Sequence, residues 1–414
     1  MFDRWYAETL REKLARPYVH LVFGARQTGK STLLRALLPP ETLVIDLADP
    51  HERSRHLADA GAFSADCRSL PANRKGQFVF VDEAQAVPTI FDAVQQLFDS
   101  DKSRWRFVLC GSSARKLRRM GANLLPGRSF YHRLLPLTLA EHPADQPPIR
   151  HAVSPCPFTW GKERTPANPF PAADLLTRLA FGELPGVVAA VEEDRAELLR
   201  AFAMVHLEEE IGREALVKDW GAFVRFLQLA AAESGQIVNY AAISQESGVS
   251  QPTVKSHYQL LEDMFVGFPV PAFAKSPRKN LLSTPKFFFF DLGVRHAAAG
   301  LAASRNVVNV NPGPFFEQWV GLELWKRLQY LGQGKLHHLR TKDGAEVDFI
   351  LERENTLTPV EVKWTEKPTL QDARHLLAFL DEQPKRAGHG FVVCRCPRPM
   401  QLHDRVTALP WFCL

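Results

Sequence analysis

Continuous apolar runs separated by helix-like stretches organise the first third of the chain. "YVHLVFG" (18–24), "TLVIDL" (42–47), "FVFVDEA" (78–84) and "RFVLCGSS" (106–113) are hydrophobic throughout rather than at alternate positions. That pattern predicts parallel strands buried on both faces, with the intervening helices covering them. Residues 143–171 hold eight prolines and no period, which predicts a linker or an extended insertion. From 173 onward, "DLLTRLAFG", "DRAELLRAFAMVHLEEEIG" and "AFVRFLQLAAAESG" carry apolar residues at helical spacing. The last quarter opens on a helix, "PFFEQWVGLELWKRLQYLG", followed by two strands, a second helix and a final strand, "HGFVVCRC". The expected organisation is a parallel α/β domain over 1–142, a Pro-rich linker over 143–172, a helical domain over 173–310 and a mixed α/β domain over 311–414.

At 414 residues the chain exceeds what one hydrophobic core supports, which fits several domains. Hydrophobic residues at 45% and charged residues at 23% exclude a disordered or fibrous chain. Net charge is only +5, but it is unevenly spread. Lys102 to Ala140 holds nine Lys and Arg and no acid. Met264 to Phe290 is also acid-free and carries Lys275, Arg278, Lys279 and Lys286. Such tracts can meet phosphates or simply form a solvated face. Six cysteines show neither a disulfide framework nor paired CxxC zinc spacing, and Cys394 and Cys396 read as strand positions. The N-terminal stretch is too charged for a signal peptide, and no apolar run is long enough to span a bilayer. The expectation is a cytoplasmic protein with no membrane partner.

"GARQTGKS", Gly24 to Ser31, fits G-x-x-x-x-G-K-[ST] in full, between an expected strand and the helix "STLLRALL". Nucleotide contact is expected from Gly24, Ala25, Arg26, Gln27, Thr28, Gly29, Lys30, Ser31 and Thr32. The glycines let backbone amides curl round a phosphate where a Cβ would collide. Lys30 can reach the β- and γ-phosphates, and the Ser31 hydroxyl can ligate Mg²⁺. "FVFVDEAQ" ends an apolar strand in Asp82 and Glu83. Asp82 can hold Mg²⁺ through its water shell, and Glu83 can polarise an attacking water. Ser112, beside Ser113, ends the next apolar run and is expected between the acid-bearing and phosphate-bearing strands, where it could orient that water. Arg128 and Arg133 are candidate arginine fingers for a neighbouring subunit, or else surface arginines of a basic tract.

The chain resembles the large prokaryotic group of AAA-type ATPases that carry an uncharacterised, DUF4143-like C-terminal domain. The stretches that carry the likeness are "GARQTGKSTLL", "FVFVDEAQAVP", "LCGSSARKL", "LPGRSFYHRLLPLTLAEH", "LAFGELPGVV" and "LLSTPKFFFFDLGV". The resemblance implies a P-loop AAA-type core, ATP and Mg²⁺ as ligands, and homo-oligomers, a hexameric ring among them. The Pro-rich insertion is longer than the family pattern leads one to expect.

"NYAAISQESGVSQPTVKSHYQLLEDMFVGFPV" reads as a helix-turn-helix of the winged-helix type. Gly248 marks the turn, Ser250 can cap the second helix with Pro252 in its first turn, and Val254, Tyr258 and Leu261 share a face. Gln251, Thr253, Lys255, Ser256 and Gln259 then point outward, as in a helix that enters a DNA major groove. Lys275, Arg278 and Lys279 would form a wing that contacts phosphates. Such modules in ATPases also serve as lids or subunit contacts.

In "AEVDFILE", strict alternation puts Ala345, Val347, Phe349 and Leu351 on one face and Glu346, Asp348, Ile350 and Glu352 on the other. In "PVEVKW", Glu361 and Lys363 project opposite Val360, Val362 and Trp364. Paired as a hairpin, the two runs bring together two carboxylates for Mg²⁺ and a lysine for the attacking water or the developing phosphate charge. This resembles the PD-(D/E)xK pattern of restriction and repair nucleases, whose order of elements matches residues 314–396. By that resemblance Glu317 is a further metal ligand. Val347 stands where the pattern usually has proline, and Glu317 equally suits the first turn of a helix after "NPGP". The alternative for Asp348, Glu361 and Lys363 is a set of charges on an exposed sheet face.

The first functional expectation is an oligomeric DNA-processing ATPase whose restriction-endonuclease-like domain grips or cuts duplex or branched DNA. A regulatory ATPase switch with a non-cleaving, partner-binding C-terminal domain is the second. A DNA-binding module whose release is timed by hydrolysis is the third.

Overall fold

The computed structural model of the chain describes residues 2–71, 75–113, 126–146, 166–207, 217, 219–274, 284–341 and 344–414. It divides into two compact units. The smaller comprises Arg4–Leu135 with Asp263–Val266. The larger comprises Met1–Asp3, Pro136–Glu262 and Gly267–Leu414, so the expected boundary between residues 310 and 311 lies inside it.

The smaller unit runs α1 (Ala7–Leu14), β1 (Val19–Phe23), α2 (Lys30–Leu37), β2 (Leu43–Asp46), α3 (Pro50–Ala58), α4 (Ala62–Ser69), β3 (Gln77–Asp82), α5 (Thr89–Ser100), β4 (Trp105–Gly111) and β5 (Ser129–Arg133). All five strands are parallel, in the order β2-β3-β4-β1-β5. β1, β3 and β4 are buried nearly throughout, as continuous hydrophobicity predicts for the interior of a parallel sheet. β5 lies at the edge, where only His132 is buried, and its sequence carries no such run. The order inserts β4 between β1 and β3. Phe23 at the end of β1 is level with Gly111, and Val81 with Leu109, so the strands end side by side.

In the larger unit come α6 (Leu175–Phe181), α7 (Pro185–Val188), α8 (Glu192–Ala201, continued by a π-helical stretch Phe202–Leu207) and α9 (Trp220–Ala232). Helices α10 (Tyr240–Ser247) and α11 (Gln251–Asp263) follow. Between them Gly248 takes φ 79°, a left-handed turn that a side chain would disfavour. The Ser250 hydroxyl accepts the Thr253 N–H at 3.4 Å, and Val254, His257, Tyr258, Leu260 and Leu261 are buried. An antiparallel pair, β6 (Gly267–Val270) and β7 (Lys286–Phe289), comes next.

After α12 (Leu292–Ala298) and α13 (Arg305–Val310) stands the long α14 (Pro312–Leu331). The chain then forms β8 (Lys335–Arg340), β9 (Glu346–Arg353), β10 (Thr356–Val362), α15 (Arg374–Glu382), β11 (Gly390–Cys394), β12 (Met400–His403) and β13 (Val406–Pro410). The strands make a mixed sheet ordered β12-β13-β11-β10-β9-β8, with β8, β12 and β13 beyond the expected set. Cys394 closes β11, whereas Cys396 lies past its end.

One feature of β9 overturns the expected alternation. From His337 to Leu339 the partner on β9 moves from Ile350 to Val347, so β9 carries an extra residue, a bulge. Val347 therefore joins Ile350 in a core with Leu376, Phe379 and Leu380 of α15. Phe349 turns instead to Gly321 of α14, where a Cβ would stand 2.5 Å from the ring, and to Phe288.

A polar core lies among the helices. Glu183 accepts hydrogen bonds from Arg178 at 2.9 Å and the Trp319 indole at 3.2 Å and pairs with the His142 ring at 2.5 Å, while its own N–H donates to Asp291 at 2.6 Å. Glu323 accepts the Leu139 N–H at 3.0 Å and Arg327 at 2.8 Å. Among the described residues no helix is long and apolar enough to cross a membrane.

Candidate functional site

β1 delivers the chain into the glycine-rich loop, and α2 begins at Lys30, leaving the N–H groups of its first turn to face that loop. A Cβ at Gly24 would stand 2.1 Å from the Leu134 carbonyl oxygen, so only glycine fits. Gly29 holds φ 84° and Gln27 φ 60°. The Lys30 ammonium reaches back across the loop to the carbonyls of Gly24 and Ala25, at 2.9 and 2.7 Å. The Thr28 hydroxyl donates to Ala25, and Arg4 braces the Thr28 carbonyl from outside at 2.7 Å. Ser31 is half-buried and Thr32 exposed; Arg26 is half-buried. An ammonium held inside a turn of backbone N–H groups at a helix start suits an anionic phosphate.

Asp82 ends β3, and Glu83 follows at φ 53°, a costly conformation for a residue with a side chain. That turn aims its carboxylate at the amide of Gln85 and, at 3.4 Å, at the hydroxyl of Ser112. Gln85 also donates to the Ser112 hydroxyl at 3.1 Å. Gln85 is a residue that sequence reasoning missed; a glutamine two places after the acid was the only signal. Gly111 is fixed by it, because a Cβ there would meet the Gln85 amide oxygen at 2.3 Å. Asp82 accepts the Glu83 N–H at 3.1 Å, and Arg35 of α2 lies 4.0 Å from its other oxygen. Ser113 is buried beside this group. Arg128 is held by Asp99 at 2.7 Å, and Arg133, level with Phe23, lies 4.9 Å over the ring of Phe265.

A second cluster of charge sits where β9 and β10 part. The expected hairpin forms, with Val360 opposite Phe349 as its last pair. Beyond that pair the Asp348 carboxylate takes the place of a ladder partner and accepts the Val362 N–H at 2.8 Å. Lys363 donates to one oxygen of Glu361 at 2.6 Å, while the other is buried without a hydrogen-bond partner. Burial first, and then the Glu317 and Glu361 carboxylates, push the Asp348 carboxyl well above the usual carboxylate range. Burial also raises Glu361, against the pull of Lys363. Glu317 is answered by Lys286 of β7, which donates to it at 2.8 Å and stands 3.5 Å from Glu346. Burial opposes the charge on Lys286, but Glu317 and Asp348 outweigh it and hold the ammonium above its ordinary pKa. Among the described residues, no three His, Cys, Asp or Glu side chains are grouped so as to hold a metal ion.

These two places differ in kind, and comparison with known proteins separates them further. Residues 16–142 match the AAA domain family. The AAA domain is followed by matches to two domains of unknown function, DUF8612 over 172–305 and DUF4143 over 312–414. Uncharacterised proteins of Mycobacterium bovis and Mycobacterium tuberculosis are each 25% identical to this chain over 406 residues, 98% of this chain and 82% of theirs. A Vibrio cholerae protein of known crystal structure is 11% identical, with 93% of this chain and 90% of that one covered, at a TM-score of 0.17. That score is too low for a shared fold to be read from it.

The AAA domain gathers the loop, Asp82, Glu83 and Ser112 at one end of one sheet. On α11, Gln251, Lys255, Ser256 and Gln259 are exposed and Thr253 is half-buried. The Lys255 ammonium lies 5.2 Å over the ring of Tyr240. Lys275, Arg278 and Lys279 fall outside the described residues.

Proposed function

We propose that this chain is an ATP-hydrolysing, DNA-processing protein that acts as an oligomer. The observation that carries the reading is the strand order, in which β4 stands between β1 and β3 and places Ser112 within 3.4 Å of Glu83, beside the end of the loop strand. The loop amides and Lys30 would hold the phosphates of ATP. The Ser31 hydroxyl, and Asp82 through water, would hold Mg²⁺, whose charge offsets that of the phosphates. Glu83 is the group that orients the attacking water and accepts its proton, and Ser112 hydrogen-bonds beside it. Gln85 touches both and fixes their separation. An arginine of a neighbouring copy, Arg128 or Arg133, would complete the site in a ring.

Support for DNA is the exposed polar face of α11, followed in the chain by the antiparallel pair β6–β7; together they would serve as a winged helix. The C-terminal domain, with its acids at a strand fork, resembles a nuclease fold and would grip the duplex. The Lys286–Glu317 pair favours gripping over cutting. The deciding measurement is ATP turnover with single-stranded, duplex and branched DNA, beside native mass in the presence of ATP. Turnover is expected to rise with one of the DNA forms and to vanish in Lys30→Ala. If every form leaves turnover unchanged and no complex forms at low salt, the DNA part is wrong and a regulatory ATPase switch takes its place.

A further inference from the structure

We infer that Lys286 is the resident cation of the acidic cluster at the β9–β10 fork, so that this site takes up no divalent metal and does not cut DNA by a metal-dependent route. The inference rests on the nuclease-like reading of the C-terminal domain and changes what that domain does.

The place of Lys286 is fixed by its backbone. It pairs with Val270 of β6 on one side and bridges Ile237 on the other, so the side chain projects from a strand held along both edges. Its ammonium is buried and sits at hydrogen-bond distance from Glu317, with Glu346 next to it. Each of the three acids expected to share a metal already has an oxygen engaged by the protein. Glu317 is bound by Lys286, Glu361 by Lys363, and Asp348 by the Val362 N–H. A Mg²⁺ site needs several oxygens converging at about 2.1 Å on one centre. The remaining Glu361 oxygen is buried without a hydrogen-bond partner, and among the described residues the acids are not grouped so as to hold a metal ion. A divalent ion would also have to sit within a few ångströms of a buried, protonated ammonium, where like charges repel strongly.

Mn²⁺ binding to the nucleotide-free full chain, followed by electron paramagnetic resonance, tests this directly. The wild-type chain is expected to show no Mn²⁺ site that depends on Asp348, and Lys286→Arg should behave the same. Lys286→Met should gain one saturable site, with affinity higher by on the order of 100-fold, and Lys286→Met/Asp348→Asn should lose it again. Wild-type binding that disappears in Asp348→Asn overturns the inference, as does a folded Lys286→Met that gains nothing. Thermal melts report whether Lys286→Met folds; should it not, the wild-type and Lys286→Arg titrations decide. DNA-stimulated turnover in the same samples reports separately on the DNA reading, which can fail while the Mn²⁺ result stands.

Discussion

Arg178 and Glu183 face each other across 2.9 Å where almost no solvent reaches either side chain. Burial alone would raise the Glu183 carboxyl, yet His142 and Arg178 pull it down to about 2. The stretches that carry the family likeness meet here: His142 from "LTLAEH", Glu183 from "LAFGELPG" and Asp291 from "FFFFDLGV". Removing one partner of a buried pair leaves the other charge without compensation. Glu183→Ala is therefore expected to destabilise the larger unit by about 3–5 kcal/mol, read as a lower urea midpoint. Arg178→Ala should cost a similar amount, and the double variant less than the sum, because both remove one interaction.

Gln85→Ala separates turnover from binding. Without the amide, Glu83 and Ser112 lose the group that links them, while the loop that would hold phosphates is untouched. ATP turnover should fall by about tenfold or more, with the dissociation constant for a fluorescent ADP within about twofold of wild type. A large loss of ADP affinity would count against the positioning role. Glu83→Gln should fall further, by roughly 10²–10⁴.

Acid should weaken the smaller unit through two imidazoles. Tyr6 hydrogen-bonds His132, and His132 hydrogen-bonds His20, each at 3.1 Å. Burial lowers His20 to about 4 and His132 to about 3, from 6.5. In the unfolded chain both take up protons below 6.5, while in the fold they do not until far lower pH. Their contribution is thus complete above 6.5 and is lost as pH falls towards 4. Near pH 5 the loss is about 2 kcal/mol for each ring. Denaturation midpoints across that window should slope downward, and His20→Gln/His132→Gln should flatten the slope.

Lys255→Ala tests the face of α11. If it meets a phosphate, duplex affinity drops for every sequence alike, and the slope of log affinity against log salt falls by about one. An unchanged slope would place Lys255 away from DNA.

The parts of this molecule legible in its sequence are those whose chemistry dictates spacing. The loop is readable residue by residue because phosphate binding demands glycines and a lysine at set positions. β1, β3 and β4 are readable because burial on both faces leaves continuous apolar runs. β5 hides because an edge strand needs neither. The bulge in β9 leaves no mark in "AEVDFILE", so strict alternation misplaces Val347. Gln85 looks like any loop glutamine until Ser112 arrives from 27 residues away. Lys286 looks like one more base in a basic tract, because Glu317 lies 31 residues further on and in another element.

The smaller unit is not one stretch of chain. Its first 132 residues, Arg4–Leu135, are joined by Asp263–Val266, which supply the Phe265 ring that stacks on Phe23 and lies under Arg133. A ribosome that has released the glycine-rich loop, the acidic strand and β5 has still to make more than a hundred residues before that ring exists. The smaller unit therefore stays incomplete until Phe265 has been made, after helices α6 to α10 of the larger unit. A fragment cut at Leu135 would lack its last aromatic contact however well its sheet had formed.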